Sequence, residues 1–313
     1  MDVPARGERL TAADRPLAIC GFSRWTVPTA AGSVAVAVGG AGPPVLLLHG
    51  FPETHLMWRD IAPLLAHDHR VICADLRGYG ASGCPPSDDE HRAYSKRVMA
   101  AEMVEVMRAL GHDRFAVVGH DRGGRVAYRM ALDHPAAVTA VAVLDVVPTG
   151  ALWERADARL ALSFWPFTLL AQPAPLPERL IAACPEAVID DALSNWGTPA
   201  ETFPPALRAA YADALSDPAH VRAICEEYRA AATIDREHDA ADAEAGRRIG
   251  CPLLALWSGT GGLADWYADE GGPLALWRTL ADDVTGEAVQ GGHFFPEQHP
   301  EETAARLRRF LAG

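Results

Sequence analysis

The stretch that decides the fold of this chain is Val117-Val118-Gly119-His120-Asp121-Arg122-Gly123-Gly124-Arg125-Val126. A run of apolar, β-branched residues stops at Gly119, and a helical pattern follows from Gly124. This order predicts a strand, a sharp turn and a helix. Gly119 and Gly123 stand two residues before and after Asp121, the spacing of a turn that presents a nucleophile at the carboxyl edge of a sheet. A Cβ atom at either glycine would collide with the crowded turn.

The residue at the tip of this turn is an aspartate, and its chemistry predicts the reaction type. Attack by a carboxylate on an acyl group would form an unstable anhydride, whereas attack on an sp³ carbon forms an ester that water can cleave later. We therefore expect Asp121 to be the nucleophile of an alkyl transfer.

The composition indicates one large α/β protein that does not bind nucleic acid. Of the 313 residues 49% are hydrophobic, which is enough for a sizeable core. The formal net charge of −13 argues against nucleic acid and anionic membranes as partners. The sequence has no long apolar run and no signal-peptide pattern, so we expect a soluble, cytoplasmic protein. The six cysteines follow no regular spacing and are interpreted as reduced packing residues.

Apolar runs and helical patterns alternate along most of the chain, which predicts a mostly parallel, eight-stranded sheet with helices on both faces. Residues 150–248 have no strand-like run and predict an all-helical insertion. We therefore expect a core over residues 1–149, a helical cap over 150–248 and a second part of the core over 249–313. Residues 1–20 show no periodic spacing of hydrophobic residues. The acidic segment at 235–244 is interpreted as a solvated helix.

Polar groups follow several predicted strands, at His49-Gly50, Asp121, Asp145 and His293. Ligands gather at the carboxyl ends of parallel strands, so these groups can converge. In this hypothesis His293 removes a proton from the water that cleaves the Asp121 ester, and Asp145 holds the imidazole. The backbone N–H groups of Phe51 and Arg122 would hold the oxyanion of that step.

Some of these assignments have rivals in the sequence. Asp265, after the predicted strand at residues 252–257, is an alternative acid for the triad. His120 points the other way along the turn and is interpreted as structural. His67 and His69 lie at a helix end without further ligands, so no metal site is expected.

Two arginines beside the turn predict the class of substrate. Arg122 follows the nucleophile and Arg125 lies one helical turn from it, so both guanidinium groups can reach the space above Asp121. The alternative is surface salt bridges, but a helix start behind a sheet edge is not an open surface. Paired guanidinium groups form a bidentate clamp for a carboxylate. We expect a short carboxylate with a leaving group next to it.

Motifs over nearly the whole chain after residue 20 resemble the fluoroacetate dehalogenases of the α/β-hydrolase superfamily. They are His49-Gly50-Phe51-Pro52, Asp75-Leu76-Arg77-Gly78-Tyr79-Gly80, Gly119-His120-Asp121-Arg122-Gly123-Gly124-Arg125, Leu144-Asp145, Ala171-Gln172-Pro173-Ala174-Pro175, Glu227-Tyr228-Arg229-Ala230 and Gly292-His293-Phe294. The resemblance implies a helical cap, a homodimer, no cofactor, and hydrolysis of haloacetates to glycolate with Asp121 as nucleophile.

The same resemblance implies roles for further residues. It favours Asp145 over Asp265 as the acid of the triad. It assigns the substrate carboxylate to Arg122 and Arg125. Two cap residues that match the family, Trp196 and Tyr228, would approach the substrate.

One departure from that family concerns the halide. In the family a His-Trp pair before the Gln-Pro-Ala-Pro segment donates hydrogen bonds to the departing fluoride, together with the tyrosine that matches Tyr228. Here those two places hold Pro166 and Phe167, whose side chains have no donor. Each lost donor would cost roughly 10²–10⁴-fold, by analogy with deletions in oxyanion holes. Trp165 is adjacent and could supply an indole N–H. We predict better activity on chloro- or bromoacetate than on fluoroacetate.

Two other functions are compatible with parts of this pattern. An epoxide hydrolase would use the same aspartate, with Tyr211 and Tyr228 of the cap to protonate the opening oxygen. The arginine pair would then have no task on a neutral epoxide. A small-acid binder without turnover is the other alternative, and the complete set of Asp121, Asp145 and His293 argues against it.

Overall fold

The computed structural model describes residues 8–9 and 17–313 of the chain. Most of the segment 1–20, which has no periodic spacing of hydrophobic residues, lies outside the described residues. The strands are β1 (Glu8–Arg9), β2 (Ser23–Thr29), β3 (Gly32–Gly40), β4 (Pro44–Leu48), β5 (Arg70–Ala74), β6 (Phe115–His120), β7 (Val138–Leu144), β8 (Leu253–Ser258) and β9 (Val284–Val289).

These strands form one sheet in the order β1-β2-β3-β5-β4-β6-β7-β8-β9. The pairs from β5 to β9 are parallel, and the pairs that join β1, β2, β3 and β5 are antiparallel. The sheet is therefore mostly parallel, as predicted. Its eight longer strands match the predicted number, and the two-residue β1 adds a short edge strand in the described part of the chain.

The central strands are covered on both faces, which explains their continuous apolar sequence. In β4 the side chains of Leu46 and Leu48 join the larger core cluster, whereas Val45 and Leu47 join the other. Neighbouring residues of a strand point to opposite faces of the sheet, so the two clusters lie on its two sides.

Helices cover the two faces and fill the insertion. They are α1 (Ala62–Leu65), α2 (Lys96–Ala109), α3 (Arg122–Asp133), α4 (Thr149–Glu154), α5 (Ala158–Ser163), α6 (Trp165–Leu169), α7 (Leu176–Ala183), α8 (Pro185–Ser194), α9 (Pro205–Ala214), α10 (Pro218–Ala232), α11 (Ile234–Glu244), α12 (Gly262–Trp266), α13 (Gly272–Leu280), α14 (Phe295–Gln298) and α15 (Pro300–Leu311). Short 3₁₀ helices span His55–Trp58, Arg92–Tyr94, Ala200–Thr202 and Ala268–Glu270. No helix of the described residues is long and apolar enough to cross a membrane.

The chain between β7 and β8 is helical throughout its regular elements, from α4 to α11. This is the region for which the sequence predicted a cap over residues 150–248. The acidic segment is a helix, as interpreted, but it is solvated on one side only, because two of its carboxylates are buried. Asp235 accepts the backbone N–H of Lys96 at 2.8 Å, and Asp242 is paired with Arg129 of α3.

Candidate active site

The turn between β6 and α3 holds Asp121 at the carboxyl edge of the sheet. Its backbone φ is 43°, in the left-handed region that residues other than glycine rarely adopt. A Cβ on Gly119 would overlap the carbonyl of Gly123, and a Cβ on Gly123 would overlap the carbonyl of Leu48. The two glycines thus allow the strand and the helix to approach closely enough to form this strained turn.

The carboxylate of Asp121 lies against the loop that follows β4. The backbone N–H of Phe51 donates to its Oδ2 atom at 3.1 Å. This bond arises because β4 and β6 are neighbours in the sheet and both end at the same edge. This donor stabilises negative charge on Oδ2. The other carboxylate oxygen, Oδ1, is then the one available to attack a substrate carbon.

The pKa of Asp121 is held below its usual value despite burial of the side chain. Burial would raise this pKa, but electrostatic interactions with His293 and Arg122 outweigh burial and lower it. The side chain is therefore ionised at neutral pH. A carboxylate nucleophile needs this state.

His293 and Asp145 meet at the same edge although 148 positions separate them. The Nδ1 atom of His293 lies 2.6 Å from Oδ2 of Asp145, and the other oxygen of Asp145 accepts the backbone N–H of Ser258 at 2.8 Å. Asp145 follows β7 and has a φ of 50°. The predicted rival, Asp265, lies exposed on α12. The geometry brings Asp145, rather than Asp265, to the histidine.

His120, beside Asp121, holds the surrounding loops together. Its Nδ1 atom lies 2.9 Å from Oε2 of Glu53, and its Nε2 atom lies 2.9 Å from the carbonyl oxygen of His293. Because both partners are acceptors, both ring nitrogens donate and the ring is an imidazolium. Burial lowers the pKa of His120, but Glu53 outweighs this and raises it to about 9. Glu53 also accepts the backbone N–H of Gly50 at 3.1 Å.

Arg122 is buried and paired with a carboxylate of α10. Its Nε and Nη2 atoms lie 2.7 and 2.5 Å from the two carboxylate oxygens of Glu227. Its guanidinium carbon lies 4.0 Å from the centre of the Tyr228 ring, and the Nη1 atom is enclosed without a hydrogen-bond partner in the described part of the chain. Glu227 also contacts the ammonium group of Lys96.

Arg125 has no carboxylate partner among the residues described. Its Nη1 atom donates to the carbonyl oxygen of Val147 at 3.2 Å and to the hydroxyl of Thr149 at 2.9 Å. Its Nε atom is enclosed without a partner in the same set of residues. Burial and the charge of Arg122 lower its pKa, and the nearby charge of Asp121 offsets them only in part. A bound anion would stabilise this guanidinium group further.

Comparison with known proteins places this site in a family. Residues 43–170 match the model of the alpha/beta hydrolase fold. The chain is 43% identical over 293 residues to a fluoroacetate dehalogenase of Burkholderia sp, with 93% of this chain and 94% of that protein covered. The chain belongs to the fluoroacetate dehalogenase family of the α/β-hydrolase superfamily. This confirms the resemblance and the fold class predicted from the sequence.

This chain is also similar to other proteins of the superfamily. A soluble epoxide hydrolase of Corynebacterium sp. (strain C12) is 30% identical, with 87% of this chain and 91% of that protein covered. A mutant of a Pseudomonas aeruginosa protein, provisionally named an epoxide hydrolase, was solved with bound MFA. It superimposes with a TM-score of 0.87 at 45% identity, over 94% of this chain and 97% of that one.

An apolar wall lies beside the arginines, at the positions where the sequence resemblance led us to expect halide donors. The Phe167 ring lies 5.0 Å from the guanidinium carbon of Arg125 and 5.6 Å from the Tyr228 ring. Pro166 is buried next to it in α6. The expectation that Trp165 could replace the missing donors was wrong, because its indole N–H is donated to Asp191 at 2.5 Å.

Trp196 lies against the histidine, and its indole N–H is used elsewhere. Its ring meets the His293 ring edge to face, with the centroids 5.3 Å apart. The indole N–H donates to the carbonyl oxygen of Ser163 at 2.9 Å. Trp196 therefore contributes a wall of the site rather than a donor.

The Tyr211 hydroxyl, which the epoxide hydrolase alternative requires, is bonded to a buried carboxyl group. The Tyr211 hydroxyl donates to Oε1 of Glu297 at 3.1 Å, and the same oxygen contacts Arg59. Burial and the charge of Glu53 raise the pKa of Glu297 well above its usual value. Tyr211 therefore belongs to a buried network with Glu53, whereas Tyr228 lies on Arg122.

Several residues of the site carry roles that sequence reasoning missed. Glu227 stood in a family motif, but no spacing pattern connects it with Arg122, 105 positions away. Lys96 and Glu53 gave no signal because both act through tertiary contacts. No group of three or more His, Cys, Asp or Glu side chains suited to a metal occurs among residues 8–9 and 17–313.

Proposed function

We propose that this protein is a hydrolase acting on carbon–halide bonds, which converts short 2-haloacids to 2-hydroxyacids through an ester on Asp121. For haloacetate the products would be glycolate and halide. The observation that carries this proposal is the position of two buried guanidinium groups beside a buried, ionised aspartate. Similarity to the Burkholderia fluoroacetate dehalogenase supports the same substrate class.

In the first half-reaction the substrate carboxylate would bind at Arg122 and Arg125. An oxygen of Asp121 attacks the carbon that carries the halogen, the carbon–halogen bond breaks, and the halide leaves with the bonding electrons. The product is an ester in which the attacking oxygen of Asp121 is bonded to the carbon that carried the halogen. Holding the acid in line with the nucleophile makes this step effectively unimolecular.

In the second half-reaction His293 would act as a general base through its Nε2 atom, because Nδ1 is bound to Asp145. It takes a proton from water, and the hydroxide adds to the ester carbonyl. The backbone N–H of Phe51, already 3.1 Å from Oδ2 of Asp121, and that of Arg122 would hold the oxyanion. Glycolate then leaves as an alkoxide, which takes the proton from His293, and the Asp121 carboxyl group releases its proton to solvent.

A single-turnover reaction in ¹⁸O-labelled water tests this proposal. Excess protein is mixed with chloroacetate, and the peptide that contains Asp121 is analysed by mass spectrometry. One ¹⁸O atom in Asp121 is expected, because the water oxygen enters its carboxyl group. Label found in glycolate alone would mean direct attack by water on the substrate and would exclude the ester.

A second measurement separates an enzyme from a binder. In His293→Gln the first half-reaction remains, so one halide per site should be released and the ester should persist on Asp121. A protein that only binds small acids would gain no covalent mass.

Epoxide hydrolysis is the second candidate, favoured by the similarity to the Corynebacterium enzyme. The contact of Tyr211 with Glu297 weakens it, since only Tyr228 remains near Arg122. Assaying haloacetates, longer 2-haloacids and epoxides side by side distinguishes the two. Homodimer formation and a cytoplasmic location stay predictions, which size-exclusion chromatography with light scattering and cell fractionation would test.

A further inference from the structure

A short segment of the helical insertion is bonded to the loop that carries His293. We call residues 196–198, Trp196-Gly197-Thr198, the cap strap. The backbone N–H of His293 donates to the carbonyl oxygen of Trp196 at 2.8 Å, and the backbone N–H of Phe294 donates to the Thr198 hydroxyl oxygen at 3.1 Å. A Cβ on Gly292 would overlap the backbone of the strap, so the two segments are in close contact.

The strap supplies most of the acceptors for the amides of this loop. The N–H groups of residues 292, 293 and 294 are bonded to Gln298, Trp196 and Thr198, respectively. Two of the three acceptors therefore belong to the strap. Of the two acceptors in the strap, the one from Thr198 is a side chain, and Thr198 is only 3% exposed. This bond can therefore be removed by substitution without changing the backbone.

We propose that Thr198 is a positioning residue for His293. Its hydroxyl holds the main chain of residues 293–294, while Asp145 holds the imidazole from the other side at 2.6 Å. Together the two contacts orient Nε2 toward the ester on Asp121. The inference rests on the proposed function, in which His293 takes part only in the second half-reaction. Loss of the Thr198 hydroxyl should therefore slow hydrolysis of the ester and leave its formation unchanged.

The kinetic test compares Thr198→Val, which removes the acceptor at nearly constant volume, with Thr198→Ser, which keeps it. Thr202→Val is the matched control, because the described residues show no hydrogen bond to the Thr202 hydroxyl. Rapid-quench mixing with chloroacetate measures the first release of halide, and intact mass measures the ester that remains on Asp121. For Thr198→Val we expect hydrolysis to slow about tenfold, the effect of one buried hydrogen bond, with an unchanged halide burst. The other two variants should remain within about twofold of the wild type.

Either of two kinetic results would overturn the proposal. One is equal slowing of both half-reactions in Thr198→Val, which indicates a general structural role. The other is no change in either step.

A substrate-free measurement makes the test independent of the proposed function. Hydrogen–deuterium exchange at the amides of His293 and Phe294 should be faster in Thr198→Val than in Thr198→Ser, at equal global stability in urea. Equal exchange in the two variants would contradict the inference. If the wild-type protein released no halide from any haloacid, the proposed function would fail, and this exchange comparison would still decide the role of Thr198.

Discussion

Arg122 and Glu227 form a buried pair in which both oxygens of the carboxylate are used, at 2.7 and 2.5 Å. The same carboxylate contacts Lys96, whose ammonium group also lies 3.4 Å from Asp235. The pair leaves a single nitrogen of Arg122, Nη1, without a protein partner in the described chain. Glu227 therefore fixes which edge of the guanidinium group can face a substrate.

Replacement of Glu227 by glutamine should destabilise the protein strongly. The change leaves Arg122 and Lys96 buried with less negative charge around them, and breaking a buried ion pair costs about 3–5 kcal/mol. Urea unfolding measures the loss. Glu244→Gln, on the exposed side of α11, is the control and should change stability by less than about 0.5 kcal/mol. Equal stability of the two variants would show that the pair does not hold the site.

Arg125→Lys should weaken binding of the substrate acid. Lysine offers a point charge and cannot keep the two bonds to Val147 and Thr149 while donating to a carboxylate. We expect KM for chloroacetate to rise at least about tenfold, the effect of one charged hydrogen bond, and inhibition by acetate to weaken in parallel. Arg108→Lys, exposed on α2, is the control. An unchanged KM in Arg125→Lys would remove this residue from the carboxylate site.

Asp145→Asn should slow the second half-reaction, whereas Asp265→Asn should not. The asparagine cannot stabilise an imidazolium at Nδ1 of His293, and loss of the acid in comparable triads costs up to about 10⁴-fold. Quantifying the ester on Asp121 by mass spectrometry after mixing with chloroacetate distinguishes the two variants. Accumulation of ester in Asp265→Asn instead would reassign the acid of the triad.

The apolar wall at Phe167 predicts the order of leaving groups. Chloroacetate and bromoacetate should release halide faster than fluoroacetate, because fluoride depends on hydrogen-bond donors that Pro166 and Phe167 lack. The double variant Pro166→His with Phe167→Trp should raise the fluoride rate relative to the chloride rate by tenfold or more, from the effect of a single donor. Halide-selective electrodes give all three rates. A wild-type preference for fluoroacetate would mean that another group contacts the fluoride.

The imidazolium of His120 predicts a pH dependence of stability. A rise of its pKa from 6.5 to about 9 corresponds to about 3 kcal/mol. Since the pKa is raised on folding, this stabilisation is complete below pH 6.5 and is lost as the pH rises through about 9. Urea unfolding between pH 6 and 9.5 should show a difference between wild type and His120→Gln that shrinks toward high pH. A constant difference would indicate that the ring is neutral.

Local sequence was sufficient for the turn that contains Asp121. Gly119 and Gly123 predict it because close backbone contact there excludes any Cβ, and this restriction acts within a few residues. The alternation of strands and helices predicts the sheet from local sequence as well. The spacing of apolar residues along each element shows which of its faces are buried. The arginines at positions 122 and 125 followed from helical spacing relative to the turn.

The sequence by itself thus determined the mostly parallel sheet, the turn that contains Asp121, and the position of the arginines beside it, because hydrophobic periodicity, glycine spacing and helical geometry act over short distances. Only the tertiary structure decided which acid meets His293, which carboxylate holds Arg122, and that the indole of Trp165 is bound to Asp191. It also decided that the Thr198 hydroxyl meets the amide of Phe294. These pairs are 26 to 148 positions apart. Their contacts depend on how distant segments of the chain pack together, which no local sequence pattern predicts.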